Sequence, residues 1–168
     1  MNILAIDPGN VNSGWCLMDS ESLEPINFDI TENRMLLPFL HREGALFPPD
    51  RVVIERVSSY GMPVGREVFE TCEWVGRFSQ YAEMWGLPVD YIYRREEKLH
   101  ICRDSKASDA NIRRALIDRF YCHDAERGKG TKDDPDWFYG FRGDTWSAYA
   151  VGLTYIETKL QKEEDRPE

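Results

Sequence analysis

Residues 1–15 read MNILAIDPGNVNSGW. A short apolar run (Ile3, Leu4, Ala5, Ile6) ends on Asp7 and turns at once through Pro8-Gly9. A second apolar run resumes at Ser13-Gly14-Trp15-Cys16-Leu17-Met18. Two such runs punctuated by Pro and Gly are the pattern of a β-hairpin, here with a carboxylate at the tip of its first strand. An acid in that place is badly positioned for packing and well positioned to hold a cation. What it does depends on which other acids reach the same place.

Working outward, the pattern predicts strands over residues 2–7 and 13–19 and a weaker one over 26–30. Residues 32–46 read as helical, with Pro38 marking a first turn or a break. Pro48-Pro49-Asp50 punctuates the chain before Arg51-Val52-Val53-Ile54-Glu55, short, β-branched and apolar as a buried parallel strand is. It too ends on a carboxylate. Residues 58–65 are a loop by composition. A helix follows over 66–85, with Val68, Phe69, Cys72, Val75, Phe78 and Ala82 at three- and four-residue steps. A strand over 87–93, a short helix over 95–102 and a helix over 108–120 capped by Ser108 come next. Residues 122–142, rich in Gly, Lys and Asp, read as a long surface loop. The last helix covers 144–160 and frays into a charged tail, 161–168. Strands first, then strands alternating with helices, predict an α/β fold: a mixed β-sheet flanked by helices, one domain over residues 1–160.

At 168 residues and 42% apolar the chain can bury a single core. No stretch approaches the ~18 consecutive apolar residues of a membrane span, and the start lacks a basic-then-apolar signal pattern. The expectation is a cytoplasmic protein with no membrane attachment. The four cysteines (Cys16, Cys72, Cys102, Cys122) form no Cys-x-x-Cys pair. His100-x-Cys102 and Cys122-His123 are poor zinc half-sites, and buried or idle thiols in a reducing compartment are the better reading. A net charge of −9 argues against an indiscriminate nucleic-acid coat. The charge is uneven, however: residues 94–119 hold eight lysines and arginines against five acids, and residues 19–55 hold eight acids against three arginines. A basic flank on an acidic body fits a protein that meets phosphate on one side; ordinary solvated helix faces fit it as well.

Asp7 and Glu55 each end a strand, and neighbouring parallel strands deliver their C-terminal residues to the same sheet edge, where ligands sit in α/β folds. Asp144 opens the last helix, within Gly143-Asp144-Thr145-Trp146-Ser147-Ala148. Three carboxylates converging without basic partners repel unless a divalent cation neutralises them, and hard oxygen ligands select Mg2+ or Mn2+. Two such ions about 4 Å apart are the usual device for in-line phosphodiester hydrolysis. Each acid also has an innocent reading: Asp7 as a turn initiator, Glu55 as the partner of Arg56 or another arginine, Asp144 as a helix N-cap. The joint pattern is stronger than any of them alone.

Ile6-Asp7-Pro8-Gly9, with Ser13-Gly14-Trp15 after it, resembles the opening of the RuvC-type Holliday-junction resolvases, which have the RNase H-like fold. Val53-Ile54-Glu55 is similar to that family's second acid, at the end of its central strand. The 67–77 helix, with Trp74-Val75-Gly76-Arg77, resembles the helix that follows. Lys98, then Ser108-Asp109 opening the Asn111-Ile112 helix, is similar to the lysine-bearing region, and Ser147-Ala148-Tyr149-Ala150-Val151-Gly152-Leu153 to the closing helix. The motifs run in order over about the whole chain.

The resemblance implies a metal-dependent endonuclease that resolves branched DNA, such as Holliday junctions, by paired phosphodiester hydrolysis, leaving a 5′-phosphate and a 3′-hydroxyl. Two symmetric strands are nicked, so it implies a homodimer. It implies that Asp7, Glu55 and Asp144 hold two Mg2+ ions, with Mn2+ as a substitute, and that Lys98 stabilises charge on the phosphorus. The loop after the second acid enters the junction in that family, which makes Tyr60, flanked by Gly61 and Gly65, the candidate aromatic wedge on which a base stacks. Arg56, Arg66, Lys98, Lys106, Arg113 and Arg114 are candidate phosphate contacts, which position DNA without reading sequence. A small acidic single-domain member is what a phage or prophage would carry.

Three departures qualify the resemblance. Ser147 stands three residues after Asp144, where the family has another metal-site residue; it shares the helical face and can bind a metal-bound water but brings no charge. Ala110 stands where a basic residue often follows the helix-opening Asp, with Lys106 upstream to compensate. Residues 127–142, with Trp137-Phe138-Tyr139, have no counterpart. Two other functions stay open: a catalytically weakened branched-DNA-binding protein on the same fold, as Ser147 hints, and a phosphotransferase of the actin/hexokinase type. The latter needs a second Asp-Gly hairpin and a glycine-rich adenosine loop, which the chain lacks.

Overall fold

The computed structural model describes residues 1–40, 48–59 and 61–164. A five-stranded sheet has the order β3-β2-β1-β4-β5, with β1 (Asn2–Asp7), β2 (Asn12–Asp19), β3 (Pro25–Glu32), β4 (Arg51–Arg56) and β5 (Val89–Tyr93). The first three strands are antiparallel neighbours, and β1, β4 and β5 run parallel. The helices are α1 (Asn33–Leu36), α2 (Arg66–Met84), α3 (Arg94–Cys102), α4 (Asp109–Phe120) and α5 (Thr145–Tyr155), the last passing through a π turn (Ile156–Leu160) into α6 (Gln161–Glu164). This is the expected mixed sheet flanked by helices.

Strand β1 is buried on both faces, and its period-two alternation divides it between two cores. Ile3 and Ala5 join Cys16, Met18 and Val53 against α4 and α5. Leu4 and Ile6 join Trp15, Leu17, Val52 and Ile54 against α1 and α2. Every residue of α5 except Ser147 is buried, as suits a helix that is apolar all round. Gly152 lets it settle on the sheet: a Cβ there would lie 3.0 Å from the Cβ of Ala5 and overlap the Met18 sulfur.

Several elements differ from expectation. The helix expected over 32–46 is one turn of α1 followed by a 3-10 turn, Leu37–Phe39, where Pro38 has no N–H to continue an α-helix. Residues 41–47 of that expectation lie outside the described residues. Strand β5 starts after Pro88, which cannot donate to a ladder. Helix α3 starts one residue early, at Arg94, because Glu96 reaches back to accept the Tyr93 N–H at 2.7 Å. Ser108 caps α4 as expected, accepting the Asn111 N–H. The expected tail begins as helix, through Glu164; 165–168 lie outside the described residues. The four cysteines are free and only Cys16 is buried. No helix among the described residues is long and apolar enough to cross a membrane.

Residues 122–142 are irregular and mostly exposed, as a surface loop is, but the buried Asp136, Phe138 and Phe141 tie the segment into the core. The buried Asp136 carboxylate accepts the N–H groups of Cys122 (2.8 Å), His123 (2.9 Å), Asp124 (2.6 Å) and Trp137 (2.6 Å). Burial opposes its charge, but these four donors hold it well below the usual carboxylate range. The segment so folded places Phe138 and Phe141 in an aromatic cluster with Phe120, Trp146 and Tyr149. Replacing Asp136 with Ala strands those donors. The expected cost is about 3 kcal/mol or more, read from the denaturant midpoint; a loss below about 1 kcal/mol would contradict this account.

Candidate active site

Parallel pairing of β1 with β4 sets Ile6 opposite Ile54, and one step on it brings Asp7 level with Glu55. Alternation gives Asp7 the parity of Ala5 and Glu55 that of Val53, so both acids stand on the α5 face of the sheet. Across the antiparallel ladder Asp7 pairs with Gly14. Gly14 is where the start of α5 packs: a Cβ there would lie 2.7 Å from the Cβ of Asp144 and overlap its carbonyl group. The bare backbone at Gly14 therefore seats Asp144 beside Asp7. Asp144 occupies the N-cap position of α5 but makes no side-chain cap hydrogen bond, so its carboxylate is not consumed by the helix end. Glu55 lies 3.8 Å from Arg94, not against Arg56; Arg56 instead covers the Tyr91 ring at 5.0 Å.

A fourth acid joins these three. Glu97, in the first turn of α3, is fully buried, because α3 follows β5 directly at this sheet edge. Its Oε2 accepts from Arg94 Nη1 at 2.7 Å, and Arg94 Nη2 reaches Asp109. Its Oε1 is buried with no hydrogen-bond partner. In the sequence the neighbouring Lys98 is the expected site residue, and neither Arg94 nor Glu97 stands out from the charged string. The signal was available: on a helix beginning at Arg94, residues 94 and 97 share a face, whereas Glu96-Glu97-Lys98 taken as a string resembles a solvated charge run.

Burial first, then repulsion from Glu55 and Asp144, pushes the Asp7 carboxyl well above the usual range. Burial, with repulsion from Glu97, raises Glu55 to about 7 against the pull of Arg94. Burial raises Glu97 to about 8, again with Arg94 opposing. Burial and the neighbouring Glu55 charge together favour the protonated form of Asp7. Among the described residues no three His, Cys, Asp or Glu side chains are gathered closely enough to hold one metal ion as they stand; positive charge reaches Glu55 and Glu97 from Arg94. The chemistry of the set still fits a hard divalent cation: the acids supply only oxygen donors, and the unpartnered Glu97 Oε1 is one of them.

The remaining candidates are scattered around this centre. Ser147 is half-buried and lines a recess of about 390 Å3 with Arg94, Asp109, Ala110, Arg113 and Asp144. Arg113 stacks on the Trp146 ring at 4.8 Å. Lys98 lies in an adjoining recess of about 300 Å3 with Arg94, Arg95 and Ser105. Lys106 is exposed. Arg66 is ion-paired with Glu70 at 2.6 Å. Arg114 is engaged structurally: it pairs with Asp118 and donates to the carbonyls of Ala125 (2.7 Å) and Glu126 (3.1 Å), tying α4 to the 122–142 segment. Tyr60 lies outside the described residues. His100 is bonded to Glu157 at 2.6 Å rather than poised as a zinc ligand.

No family model and no curated protein matches the sequence. Solved structures match it in shape. Thermus thermophilus RuvC in complex with a Holliday junction substrate superimposes with a TM-score of 0.66 over 96% of each chain, at 16% identity. The chain has the RuvC fold. Thermus thermophilus RuvC alone gives 0.66 over 96% of this chain and 97% of that one, at 15% identity. The yeast mitochondrial Holliday junction resolvase gives 0.61 over 98% of this chain and 81% of that one, at 16% identity. The RuvC-like sheet is the one the opening hairpin predicts.

The raised carboxyls fix the sign of a pH dependence. Asp7, Glu55 and Glu97 bind protons more tightly folded than unfolded; for Glu55 and Glu97 the contribution to stability is complete below about pH 4.5 and is lost as pH rises through about 7 and about 8, and Asp7 acts in the same direction. In EDTA, stability is expected to fall between about pH 4.5 and 8, by up to about 1.4 kcal/mol per pH unit for each group titrating. Asp7→Asn should flatten the fall and raise the unfolding temperature at pH 8. A stability flat or rising over this range in the unsubstituted chain would contradict the assignment.

Proposed function

We propose that this chain is a divalent-cation-dependent endonuclease that resolves branched DNA, four-way junctions above all, as a homodimer. The observation that carries the proposal is the levelling of Asp7 with Glu55 on adjacent parallel strands, with Asp144 seated beside them by Gly14. Burial, with repulsion from neighbouring carboxyls, leaves Asp7 and Glu55 short of positive charge, which suits Mg2+, with Mn2+ as a substitute and two ions as the full complement. Asp7, Glu55 and Asp144 would hold the cation. When bound, it supplies charge neutralisation and lowers the pKa of a water.

The chain's own residues do the rest. Arg113, held on Trp146 at the mouth of the recess, and Lys98 and Lys106 on the basic flank orient the phosphodiester beside the acids. Lys98 further offsets charge on the phosphorus during displacement. The RuvC fold supports branched DNA as the substrate class, since Thermus thermophilus RuvC is seen with a Holliday junction substrate. A junction needs two cuts, hence two sites. The exposed apolar side chains Phe69, Met84 and Trp85 of α2 and its C-cap suit a contact with a second copy.

Ser147 favours a second reading, a protein that binds branched DNA and cuts it poorly, because its hydroxyl adds no charge to the set. Labelled four-way, forked and linear duplex DNA incubated with excess protein and Mg2+ separates the two. Paired, symmetric nicks in the four-way substrate are expected, with Asp7→Asn and Glu55→Gln each lowering cleavage at least about 100-fold while binding persists. Binding without nicks supports the second reading. Cleavage untouched by Asp7→Asn would overturn the assignment of the site.

A further inference from the structure

We infer that Glu97 is the acid that completes this site, supplying from α3 the negative charge that Ser147 withholds on α5. The inference rests on the proposal that Asp7, Glu55 and Asp144 hold a divalent cation, and it concerns the same site. Three observations support it. Glu97 is fully buried, and the same Arg94 Nη1 that it holds at 2.7 Å lies 3.8 Å from Glu55, which places Glu97 beside the acid that ends β4. Its two oxygens are used unequally: Oε2 is held by Arg94 at 2.7 Å, while Oε1 is buried without a partner. And Ser147, one turn into α5 from Asp144, is the half-buried residue of an otherwise buried helix, facing the recess that Arg94 and Asp144 also line.

A purely structural ion pair accounts for these facts poorly. Arg94 already has Asp109 and, at 3.8 Å, Glu55, so it does not need a third, fully desolvated acid. A buried carboxylate serving only as an anchor gains by using both oxygens, since an unmade hydrogen bond in the interior is costly. One oxygen fixed by a hydrogen bond and the other left open is the arrangement of a metal-binding carboxylate oriented by its surroundings. The ligand class is a hard divalent cation, Mg2+ or Mn2+. Arg94 is then a positioning residue, holding Glu97 Oε2 so that Oε1 is presented to the ion.

Titration of the full-length chain with Mn2+ alone, without DNA, with free Mn2+ followed by electron paramagnetic resonance, tests this. Glu97→Gln, which keeps a carbonyl oxygen for Arg94, is expected to weaken Mn2+ binding at least tenfold. Adding Ser147→Asp to that variant should recover most of the loss. Glu97→Asp, which keeps the charge on a shorter stem, should fall between and serves as the second variant if Glu97→Gln fails to fold by circular dichroism. Asp7→Asn is measured in parallel. If Asp7→Asn abolishes binding and both Glu97 variants bind as the unsubstituted chain does, the inference is overturned while the cation site stands. If all three bind normally, the site itself is misassigned and the inference goes with it. Weakened binding at Glu97→Gln that Ser147→Asp does not recover overturns the exchange between the two positions.

Discussion

The parallel register of β1 against β4 is the constraint on which the rest of the site depends. Ile3 to Ile6 and Val52 to Ile54 are buried on both faces of the sheet, so a slip of one residue would send every side chain to the opposite core. Two apolar cores, one on each side, therefore enforce a pairing whose last step sets one carboxyl level with another. The repulsion is not a local accident that neighbouring residues can relax. It is imposed by the most strongly determined part of the fold.

How the molecule lives with that repulsion follows from burial. Burial and repulsion favour a proton on Asp7, and the Arg94 guanidinium is drawn in among Glu55, Glu97 and Asp109. Both devices bring positive charge to a place built from negative charge, at some expense in stability, as is common where binding chemistry competes with packing. Close backbone approach completes the arrangement: glycine at 14 and at 152 lets α5 lie against β1 and β2 nearer than any side chain would allow.

Much of this was legible in residues 1–15 and 51–55, because strands that end in an acid announce both the sheet and its charged edge. Three acids, the cap at Ser108 and the mixed sheet could be read from pattern alone. What could not be read depends on contacts distant in sequence. Residues 122–142 look solvated because Asp, Lys and Gly dominate them, yet Asp136 is spent on backbone N–H groups and the aromatic residues beside it turn inward. Glu97 was hidden by its charged neighbours, since burial of one member of an Arg-Arg-Glu-Glu-Lys string depends on where the helix begins. Arg114 was misjudged for the converse reason: its partners, the carbonyls of Ala125 and Glu126, carry no signature in composition.

The seating of Asp144 on Gly14 has a consequence for how the chain comes to life. The acids enter in the order of synthesis, Asp7 in the first strand and Asp144 at the head of a helix that needs the 122–142 segment folded beneath it. The sheet can pair earlier, but the core on its α5 face, where Ala148, Tyr149 and Leu153 meet Ile3 and Ala5, cannot close until the helix that Asp144 opens is in place. A chain cut short before α5 thus lacks one of its two cores as well as one of its three carboxyls. Closing that core and completing the carboxyl set are one and the same step.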